Sequence, residues 1–349
     1  MQTILATGVA GFIGSAFIRL IPKDEYRIIA LDKLTYAGHL ENIEGINSKN
    51  IEFVRGDIGD FELVSRLLNE YKPVAVVNFA AESHVDNSIS GPGAFVNTNI
   101  VGVFNLLEAT RTFWKALSIE KKTNFRFLQI STDEVFGALQ VGDPKFCEST
   151  SYAPNSPYSA SKAAADHLVR AWFHTYGLPT IITNCSNNYG PRQFPEKLIP
   201  RMILNALEGK SLPVYGAGLN IRDWIHVEDH CRGIWLALLN GKPGEAYCFG
   251  GNSERRNIDV VNAICNVLEE KCTRQDGGHY RDLISFVEDR AGHDFRYAIN
   301  DDKAQKELGY QRQFTNFEEG LQATVNWYLE NSAWIKSVTK VKKENEESL

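Results

Sequence analysis

Short apolar runs alternate with longer amphipathic stretches along most of the chain. The runs, rich in aliphatic and β-branched residues, predict buried strands at 4–7, 27–31, 74–79 and 125–130. Between them, segments such as 61–71 and 96–116 carry apolar residues at helical spacing. Because parallel strands need a crossover element between them, this alternation predicts a parallel sheet with helices on both faces.

The character of the chain changes after residue 185, where loops become frequent. We predict an α/β fold, a doubly wound parallel Rossmann sheet with a smaller, interleaved α/β lobe. The larger domain is expected to comprise residues 1–185 and roughly 221–250, and the lobe roughly 186–220 and 251–335. The last residues, 336–349, are mostly polar and charged, and we expect a disordered tail there.

The composition excludes several classes of protein. A net charge of -6 argues against a nucleic-acid partner, since binding to phosphates needs a basic surface. The six cysteines include no Cys-x-x-Cys pair, so we expect neither a metal site nor disulfides. Neither a signal peptide nor a membrane-spanning segment is predicted, and the expected location is cytoplasmic. The helix at 96–116 is apolar around much of its surface, which suggests a homodimer interface.

Gly8, Gly11 and Gly14 follow the first predicted strand and open the first helix. Glycines here allow a tight turn and close approach of the backbone to a pyrophosphate, which the helix N-terminus favours. The second strand delivers Asp32, 24 residues beyond Gly8. A carboxylate there would accept hydrogen bonds from ribose hydroxyls and repel a 2′-phosphate, which selects NAD over NADP. The alternative is an ordinary acid at a strand end, and glycine spacing alone is a weak signal.

Further strand ends add residues at the same edge of the predicted sheet. Asp57 follows the third strand and suits the adenine amino group. Ala80 and Ala81 follow the fourth strand, where small side chains let the backbone approach the nicotinamide ribose. His84 lies in the same loop, and a substrate contact and a core histidine are equally compatible with that position.

The stretch from Ser131 to Gly137 places Thr132, Asp133 and Glu134 directly after a buried strand. Adjacent carboxylates are costly to desolvate, and the carboxyl edge of an open parallel sheet binds ligands, so we interpret the acids as reagents. The alternative is an acidic turn. Two carboxylates in one pocket repel each other, so one keeps its proton and the pair can offer both an acid and a base.

Tyr158 and Lys162 lie four residues apart on one face of a predicted helix. A nearby ammonium favours the phenolate, so we expect Lys162 to lower the pKa of Tyr158 and make it a base for an alcohol proton. Tyr-x-x-x-Lys also occurs by chance on many helices, and the motifs before it give it weight. In the second lobe Arg222 and Arg290 could bind a diphosphate, although a single arginine is more often a surface residue.

Together these motifs resemble the extended short-chain dehydrogenase/reductase superfamily, and within it the nucleotide-sugar 4,6-dehydratases. The similarity extends to about Tyr328 and is carried by the strings at 31–38, 80–86, 131–137, 187–191 and 222–227. The adjacent acids distinguish the dehydratases from related epimerases and decarboxylases.

The resemblance implies a redox-neutral dehydration of a nucleotide hexose, with dTDP-glucose as the expected substrate and NAD as the cofactor. Tyr158 would take the proton of the sugar O4 while C4 passes hydride to NAD, and Thr132 would hydrogen-bond that oxygen. Glu134 would then remove the C5 proton while Asp133 protonates the departing O6. Hydride would return to C6 and a proton to C5, giving a 4-keto-6-deoxy sugar.

The resemblance also assigns the binding residues. Those expected to bind the cofactor are Gly8, Gly11, Phe12, Ile13, Gly14, Asp32, Lys33, Thr35, Asp57, Ile58, Phe79, Ala80, Ala81, Ser83, Thr98, Tyr158, Lys162 and Asn188. Those expected to bind the nucleotide sugar are Ser83, His84, Thr132, Asn187, Lys197, Leu198, Pro213, Tyr215, Arg222, Asn257, Arg290 and His293.

Rival hypotheses remain open. The chain could be an NAD-dependent epimerase or decarboxylase of a UDP sugar, or a dehydratase for a different nucleotide-glucose. A catalytically silent NAD-binding scaffold is the rival from another class. Ala291 and Asn300 depart from the usual proline and aspartate, and a C-terminal tyrosine common in the family has no counterpart, so the base selectivity is less defined than the chemistry.

Overall fold

The computed structural model describes residues 1–46, 48–274, 276–290 and 292–346. The strands are β1 (Gln2–Thr7), β2 (Tyr26–Asp32), β3 (Ile51–Arg55), β4 (Ala75–Asn78), β5 (Arg126–Thr132), β6 (Thr180–Cys185), β7 (Asn187–Tyr189), β8 (Leu212–Tyr215), β9 (Ile221–His226), β10 (Ala246–Phe249), β11 (Glu254–Arg256) and β12 (Ile284–Val287). The α-helices are α1 (Phe12–Leu20), α2 (Phe61–Tyr71), α3 (Val85–Ser90), α4 (Pro92–Phe95), α5 (Val103–Lys115), α6 (Ile119–Asn124), α7 (Pro157–Tyr176), α8 (Leu198–Leu207), α9 (Val227–Asn240), α10 (Asn257–Lys271), α11 (Asp302–Leu308), α12 (Phe317–Glu330) and α13 (Ser332–Glu346).

Seven parallel strands form the central sheet in the order β10-β6-β5-β4-β1-β2-β3. Alternate residues of β1 face opposite sides: Ile4 and Ala6 pack in a cluster with α1 and α9, whereas Leu5 packs in a cluster with α2, α5 and α7. Both faces of the sheet are therefore covered by helices, and the predicted doubly wound Rossmann fold is confirmed.

The smaller lobe has its own sheets and its own apolar core. Strands β11, β9 and β7 form one sheet, and β12 and β8 form another. Helices α8, α10 and α12 pack together in a separate apolar cluster. Strand β9 belongs to this lobe, so the chain returns to the central sheet with α9 and β10 rather than at residue 221 as predicted.

The C-terminal segment is a helix, α13, so the prediction of a disordered tail is wrong as far as Glu346, and residues 347–349 lie outside the described residues. Its apolar residues Trp334 and Val338, four apart, are buried in the core of the lobe. The Trp334 indole N–H donates to Asn42 Oδ1 at 2.8 Å, and the Asn42 amide donates to the Ala10 carbonyl at 2.8 Å. The helix thereby supports the turn that follows β1.

The helix predicted over 96–116 begins with a π-helical segment, Val96–Gly102, which lies between α4 and α5. Within it the Asn99 amide donates to Ser161 Oγ at 2.9 Å and to the Glu82 carbonyl at 3.0 Å, and its Oδ1 accepts from the Glu82 N–H at 2.9 Å. A wide turn of this kind redirects side chains and is frequent at functional sites. Here it ties the loop after β4 to α7.

Candidate active site

One cavity of about 290 Å³ lies at the carboxyl ends of the central strands. The strand order reverses between β1 and β4, and ligands of open α/β sheets bind at such a point. Every residue predicted to bind the cofactor, and all of Thr132, Asp133, Glu134, Tyr158 and Lys162, line this cavity. The structure thus brings these side chains together, while their individual roles remain predictions.

The turn after β1 has no room for side chains. Gly8 has a φ of +66°, and a Cβ there would lie 2.5 Å from the Ala80 backbone nitrogen. A Cβ at Gly14 would lie 2.4 Å from the Gly8 carbonyl oxygen. Helix α1 begins at Phe12 without a side-chain cap, so its first N–H groups remain available to an anion. This cradle fits the pyrophosphate of a dinucleotide.

Two acids follow the next strands at the cavity edge. The carboxylate of Asp32 accepts hydrogen bonds at 2.8 Å from the N–H groups of Ala10 and of Leu34. Burial raises the pKa of Asp32, although these two hydrogen bonds act to lower it. Lys33 forms an ion pair with Asp57 at 2.8 Å. Burial would raise the pKa of Asp57, but Lys33 and the Gly59 N–H together outweigh burial, and the pKa is lowered. Both acids thus line the cavity, and their roles as acceptors for an adenosine moiety stay predictions.

A capping box between Ser156 and Ser159 fixes the start of α7, which carries Tyr158 in its first turn. Lys162 lies one turn further on, and its Nζ donates to the Ile130 carbonyl at 2.7 Å. Burial raises the pKa of Tyr158 well above its usual value, and the charge of Glu134 adds to this, while a hydrogen bond with Thr132 opposes it. The expectation that Lys162 lowers the pKa of Tyr158 is wrong for the chain alone, because burial dominates.

Strand β5 ends at Thr132, and a single 3₁₀ turn, Asp133–Phe136, follows. The Thr132 hydroxyl accepts a hydrogen bond from the Glu134 N–H at 3.3 Å, which caps this turn. Asp133 is 1% exposed, and burial raises its pKa well above the usual value, with the charges of Glu134 and Asp223 adding to the effect. Burial and the neighbouring negative charges therefore favour the protonated form of Asp133.

The neighbouring acid has different surroundings. Burial raises the pKa of Glu134 as well, but the cations Arg290, Lys197 and Arg222 of the smaller lobe oppose the shift. Three positive charges thus act on Glu134, whereas the charges closest to Asp133 are mainly negative. This difference supports an acid at Asp133 and a base at Glu134.

The residues predicted to bind the nucleotide sugar fall into two groups. Ser83, Thr132, Asn187 and Lys197 line the cavity, whereas the others lie beyond its lining: His84, Leu198, Pro213, Tyr215, Arg222, Asn257, Arg290 and His293. Among the latter, Tyr215 and Arg290 meet Asp86, with Tyr215 Oη 3.3 Å and the Arg290 guanidinium 3.5 Å from its carboxylate.

Several of the remaining predicted side chains have defined surroundings. The His293 ring lies 6.1 Å from the Tyr215 ring. Arg222 is 5% exposed, and its guanidinium stacks 4.3 Å from the Tyr297 ring. The Asn257 Oδ1 is buried without a hydrogen-bond partner among the described residues, which leaves it available to a ligand. Ala291 lies outside the described residues.

Sequence reasoning missed several residues that line the cavity. Glu82, Gln193, Phe194 and Glu196 belong to it, and Glu196 accepts a hydrogen bond from the Tyr36 hydroxyl at 3.2 Å. An acid directly before the predicted ligand Lys197 was the available signal for Glu196. Among the described residues no group of three or more His, Cys, Asp or Glu is arranged to hold a metal ion.

Comparison with known proteins agrees with this geometry. Residues 5–324 match the model of the family described as GDP-mannose 4,6 dehydratase. The chain belongs to this family. A curated relative, the dTDP-glucose 4,6-dehydratase of Xanthomonas campestris pv. campestris (strain B100), is 56% identical over 341 residues, covering 97% of this chain and 96% of the relative. The resemblance to nucleotide-sugar 4,6-dehydratases is thereby confirmed.

Solved structures of the 4,6-dehydratase group share the whole fold. The dTDP-glucose 4,6-dehydratase of Bacillus anthracis str. Ames, in complex with NAD, has 44% sequence identity and a TM-score of 0.84, covering 97% of this chain and all of that one. The dTDP-glucose 4,6-dehydratase of Streptomyces venezuelae, with NAD bound, has 42% identity and a TM-score of 0.86, covering 95% of this chain and 98% of that one. The likeness thus extends over nearly the whole of this 4,6-dehydratase family member.

A first test concerns Asp32 of this 4,6-dehydratase family member. Asp32→Asn keeps the size of the side chain and removes its charge. We expect NAD to bind about 10- to 100-fold more weakly, because a charged hydrogen-bond acceptor contributes about 1.5–3 kcal/mol. The affinity for NADP should fall by less, since the substitution also removes the repulsion between the Asp32 carboxylate and the 2′-phosphate. Titration calorimetry with both dinucleotides measures this.

The matched control is Asp24→Asn, the same chemical change on an exposed residue before β2. It should leave both dissociation constants unchanged. An equal loss of affinity for NAD and NADP in the Asp32 variant would show that Asp32 only shapes the turn and does not select the cofactor.

Proposed function

We propose that this protein converts dTDP-glucose to dTDP-4-keto-6-deoxyglucose with NAD as its cofactor. The observation that carries the proposal is the convergence of Asp133 and Glu134 with Tyr158 and Lys162 on the cavity that also holds the glycine turn. A base for an alcohol, an acid and a second base are what removal of water from a hexose requires. The relatives agree with the activity and the cofactor predicted from the sequence.

The chain's own residues would hold the cofactor along the edge of the sheet. The amides at the start of α1 bind the pyrophosphate, and Asp32 accepts hydrogen bonds from the adenosine ribose. The loop at Ala80 lies so close to Gly8 that a side chain at position 8 would not fit. Only backbone atoms of Gly8 would therefore lie beside the cofactor. When bound, NAD accepts hydride from the sugar and returns it, so the overall reaction is redox-neutral.

Oxidation at C4 requires loss of the O4 proton. Tyr158 is the base, and Thr132 hydrogen-bonds the same oxygen. Since burial raises the pKa of Tyr158, the phenolate needs positive charge beside it, and the Lys162 ammonium on the next turn supplies part of that charge. The new 4-keto group makes the C5 proton acidic.

Elimination of water then uses the two adjacent acids. Glu134 removes the C5 proton, and the proton held on Asp133 moves to the departing O6. The bond between C6 and O6 breaks, and a double bond forms between C5 and C6. Asp133 suits the role of acid because burial favours its protonated form, whereas three cations favour the ionised form of Glu134.

The smaller lobe supplies the charges for the nucleotide part of the substrate. Three cations of this lobe act on Glu134: Arg222, Arg290 and Lys197. The guanidinium groups of the two arginines match the oxygens of a diphosphate in paired geometry. The buried Oδ1 of Asn257 adds an acceptor. The dinucleotide, bound along the edge of the sheet, and the nucleotide sugar, bound by the smaller lobe, would therefore meet beside Tyr158 and Asp133.

The proposed function is tested by incubating the purified protein separately with dTDP-, UDP-, GDP- and CDP-glucose. Product formation is followed by the alkali-induced absorbance of a keto sugar and by mass spectrometry. We expect a product lighter by one water, formed fastest from dTDP-glucose. A C4 epimer of unchanged mass would indicate the epimerase, and no turnover with any of the four would favour a silent NAD-binding protein.

Assembly and location are further parts of the proposal. Ile89, Val96, Val101 and Phe104 are each 42–46% exposed on the run of helices that includes α5, which supports a homodimer formed through this surface. Among the described residues no helix has the length and apolarity needed to cross a membrane. The six cysteines are free, which supports a reducing compartment such as the cytoplasm.

A further inference from the structure

Asp166 is a buried carboxylate that the mechanism above does not use. It is 1% exposed and lies on α7, beneath the cavity. Ser131 Oγ donates to its Oδ2 at 2.6 Å, and the Tyr152 hydroxyl donates to the same atom at 3.0 Å. Asp166 is not among the residues that line the cavity, so a role in touching substrate or cofactor is not indicated. A buried carboxylate with two short hydrogen bonds nevertheless calls for an explanation.

Its position along the helix connects it to the reacting groups. Tyr158, Lys162 and Asp166 are spaced four residues apart and form one stripe of α7. Three consecutive residues of β5 hold this stripe. The Ile130 carbonyl accepts from Lys162 and Ser131 donates to Asp166. The Thr132 hydroxyl forms the hydrogen bond with Tyr158. The next two residues of the chain are the acids Asp133 and Glu134.

The charges around Lys162 are few. Burial lowers its pKa, and Asp166 is the main group that raises it. From β6, Cys185 also faces Lys162, but burial raises the pKa of this thiol and keeps it neutral. Burial likewise keeps the phenols Tyr152 and Tyr158 neutral in the chain alone. The acids Glu134 and Asp133 act on Tyr158 from the turn after β5.

Asp166 itself stays largely ionised at neutral pH. Burial raises its pKa to about 6, and Lys162, Ser131, Tyr152 and Asn184 limit the rise. The exposed His167 ring lies tilted against the Tyr152 ring, at 5.3 Å between ring centroids. Among the described residues, Asp166 is therefore the carboxylate whose charge acts most on Lys162.

We propose that Asp166 is a positioning residue for the oxidation at C4: its carboxylate keeps the Lys162 ammonium charged beside Tyr158 and, through Ser131, fixes the strand end that carries Thr132 and the acids. The proposal rests on the function proposed above. Without this carboxylate, Lys162 would be a desolvated ammonium without a counter-charge and would lose its proton more easily. A neutral amine no longer favours the phenolate, so Tyr158 would become harder to deprotonate.

The test is the pH profile of the first oxidation in Asp166→Asn, a substitution that keeps the shape of the side chain. Oxidation needs ionised Tyr158, so its rate rises with pH through the pKa that governs this group. We expect the midpoint of this rise to move up by about one pH unit, with a rate about tenfold lower below the midpoint. Stopped-flow absorbance of the reduced cofactor, after mixing with dTDP-glucose, measures the profile.

Three further variants separate charge from structure. Tyr152→Phe removes one hydrogen bond to Asp166 and should give a smaller shift of the same sign. Asp166→Glu restores the charge and should bring the midpoint back towards that of the unmodified protein. Val169→Ala, on the same helix and fully buried, removes packing only and should leave the midpoint unchanged. A pH-independent loss of rate in Asp166→Asn and Tyr152→Phe, as in Val169→Ala, would overturn the proposal.

A readout without turnover keeps this test separate from the test of function. The difference in tyrosinate absorbance between the NAD-loaded protein and its Tyr158→Phe variant reports the ionisation of Tyr158 alone. This titration should shift upward when Asp166→Asn is added to both proteins, whichever sugar is the substrate. An unshifted titration would reject the role of Asp166 even if dTDP-glucose is dehydrated. Should Asp166→Asn not fold, the same titration in Tyr152→Phe decides the question.

Discussion

In Asp133→Asn, the rate of C4 oxidation is expected to stay within about tenfold of normal, while the loss of water slows by about 10²- to 10⁴-fold. Asn has the shape of Asp but cannot donate the proton that the departing O6 requires. The two steps separate because Tyr158 and Lys162, which serve the oxidation, lie on α7 and are both retained in the variant. In a single turnover, the absorbance of the reduced cofactor should therefore appear and persist.

The matched control for this variant is Asp143→Asn in an exposed loop, where the carboxylate accepts only the Gln140 N–H. It should behave as the unmodified protein in both steps. An equal loss of oxidation and dehydration in Asp133→Asn would refute the assignment of Asp133 as the acid, because the residue would then act on the whole site.

Tyr158→Phe is expected to reduce the rate of C4 oxidation by about 10²- to 10⁴-fold, and with it the whole reaction. The change removes one oxygen atom and keeps the ring, which packs edge-on against Phe95 at 6.3 Å between centroids. The fold and the affinity for NAD should therefore be retained. Rapid mixing with dTDP-glucose should show no early absorbance of the reduced cofactor.

Tyr176→Phe, at the end of the same helix and 41% exposed, is the corresponding control and should oxidise the sugar normally. If Tyr158→Phe formed the reduced cofactor at the normal rate, another group would have to take the O4 proton. The nearest alternative is the Thr132 hydroxyl, which shares a hydrogen bond with Tyr158.

The fold was predictable where the sequence carries regular patterns. A strand or helix that buries one or both of its faces shows this burial as a pattern of apolar residues. The helical spacing at 61–71, for example, predicted the segment that α2 covers. The π-helical segment at Val96–Gly102 was not predictable, because no residue there marks a π turn and the hydrogen bonds of Asn99 to Glu82 and Ser161 form only in the tertiary structure. The helix at the C-terminus was missed because its charges obscured the apolar pair Trp334 and Val338.

The site was predictable because its residues follow the carboxyl ends of consecutive parallel strands, which must meet at one edge. The pKa shifts of the site residues were less predictable. The spacing of Tyr158 and Lys162 predicts a lowered phenol pKa, but burial, which depends on the whole tertiary structure, reverses its direction. Asp166 gave no signal of its own, since an acid four residues after a lysine is common on helices. Its importance emerges only from its burial and from Ser131 and Tyr152.

The central claim is that Tyr158, Asp133 and Glu134 act in turn on one hexose that stays in place beside one cofactor. The most direct measurement uses dTDP-glucose with deuterium at C4, mixed with an equal amount of substrate that carries ¹³C and no deuterium. The account predicts that deuterium appears at C6 of the product, and only in molecules without ¹³C. Deuterium lost to solvent, found in ¹³C-labelled product or retained at C4 would contradict it.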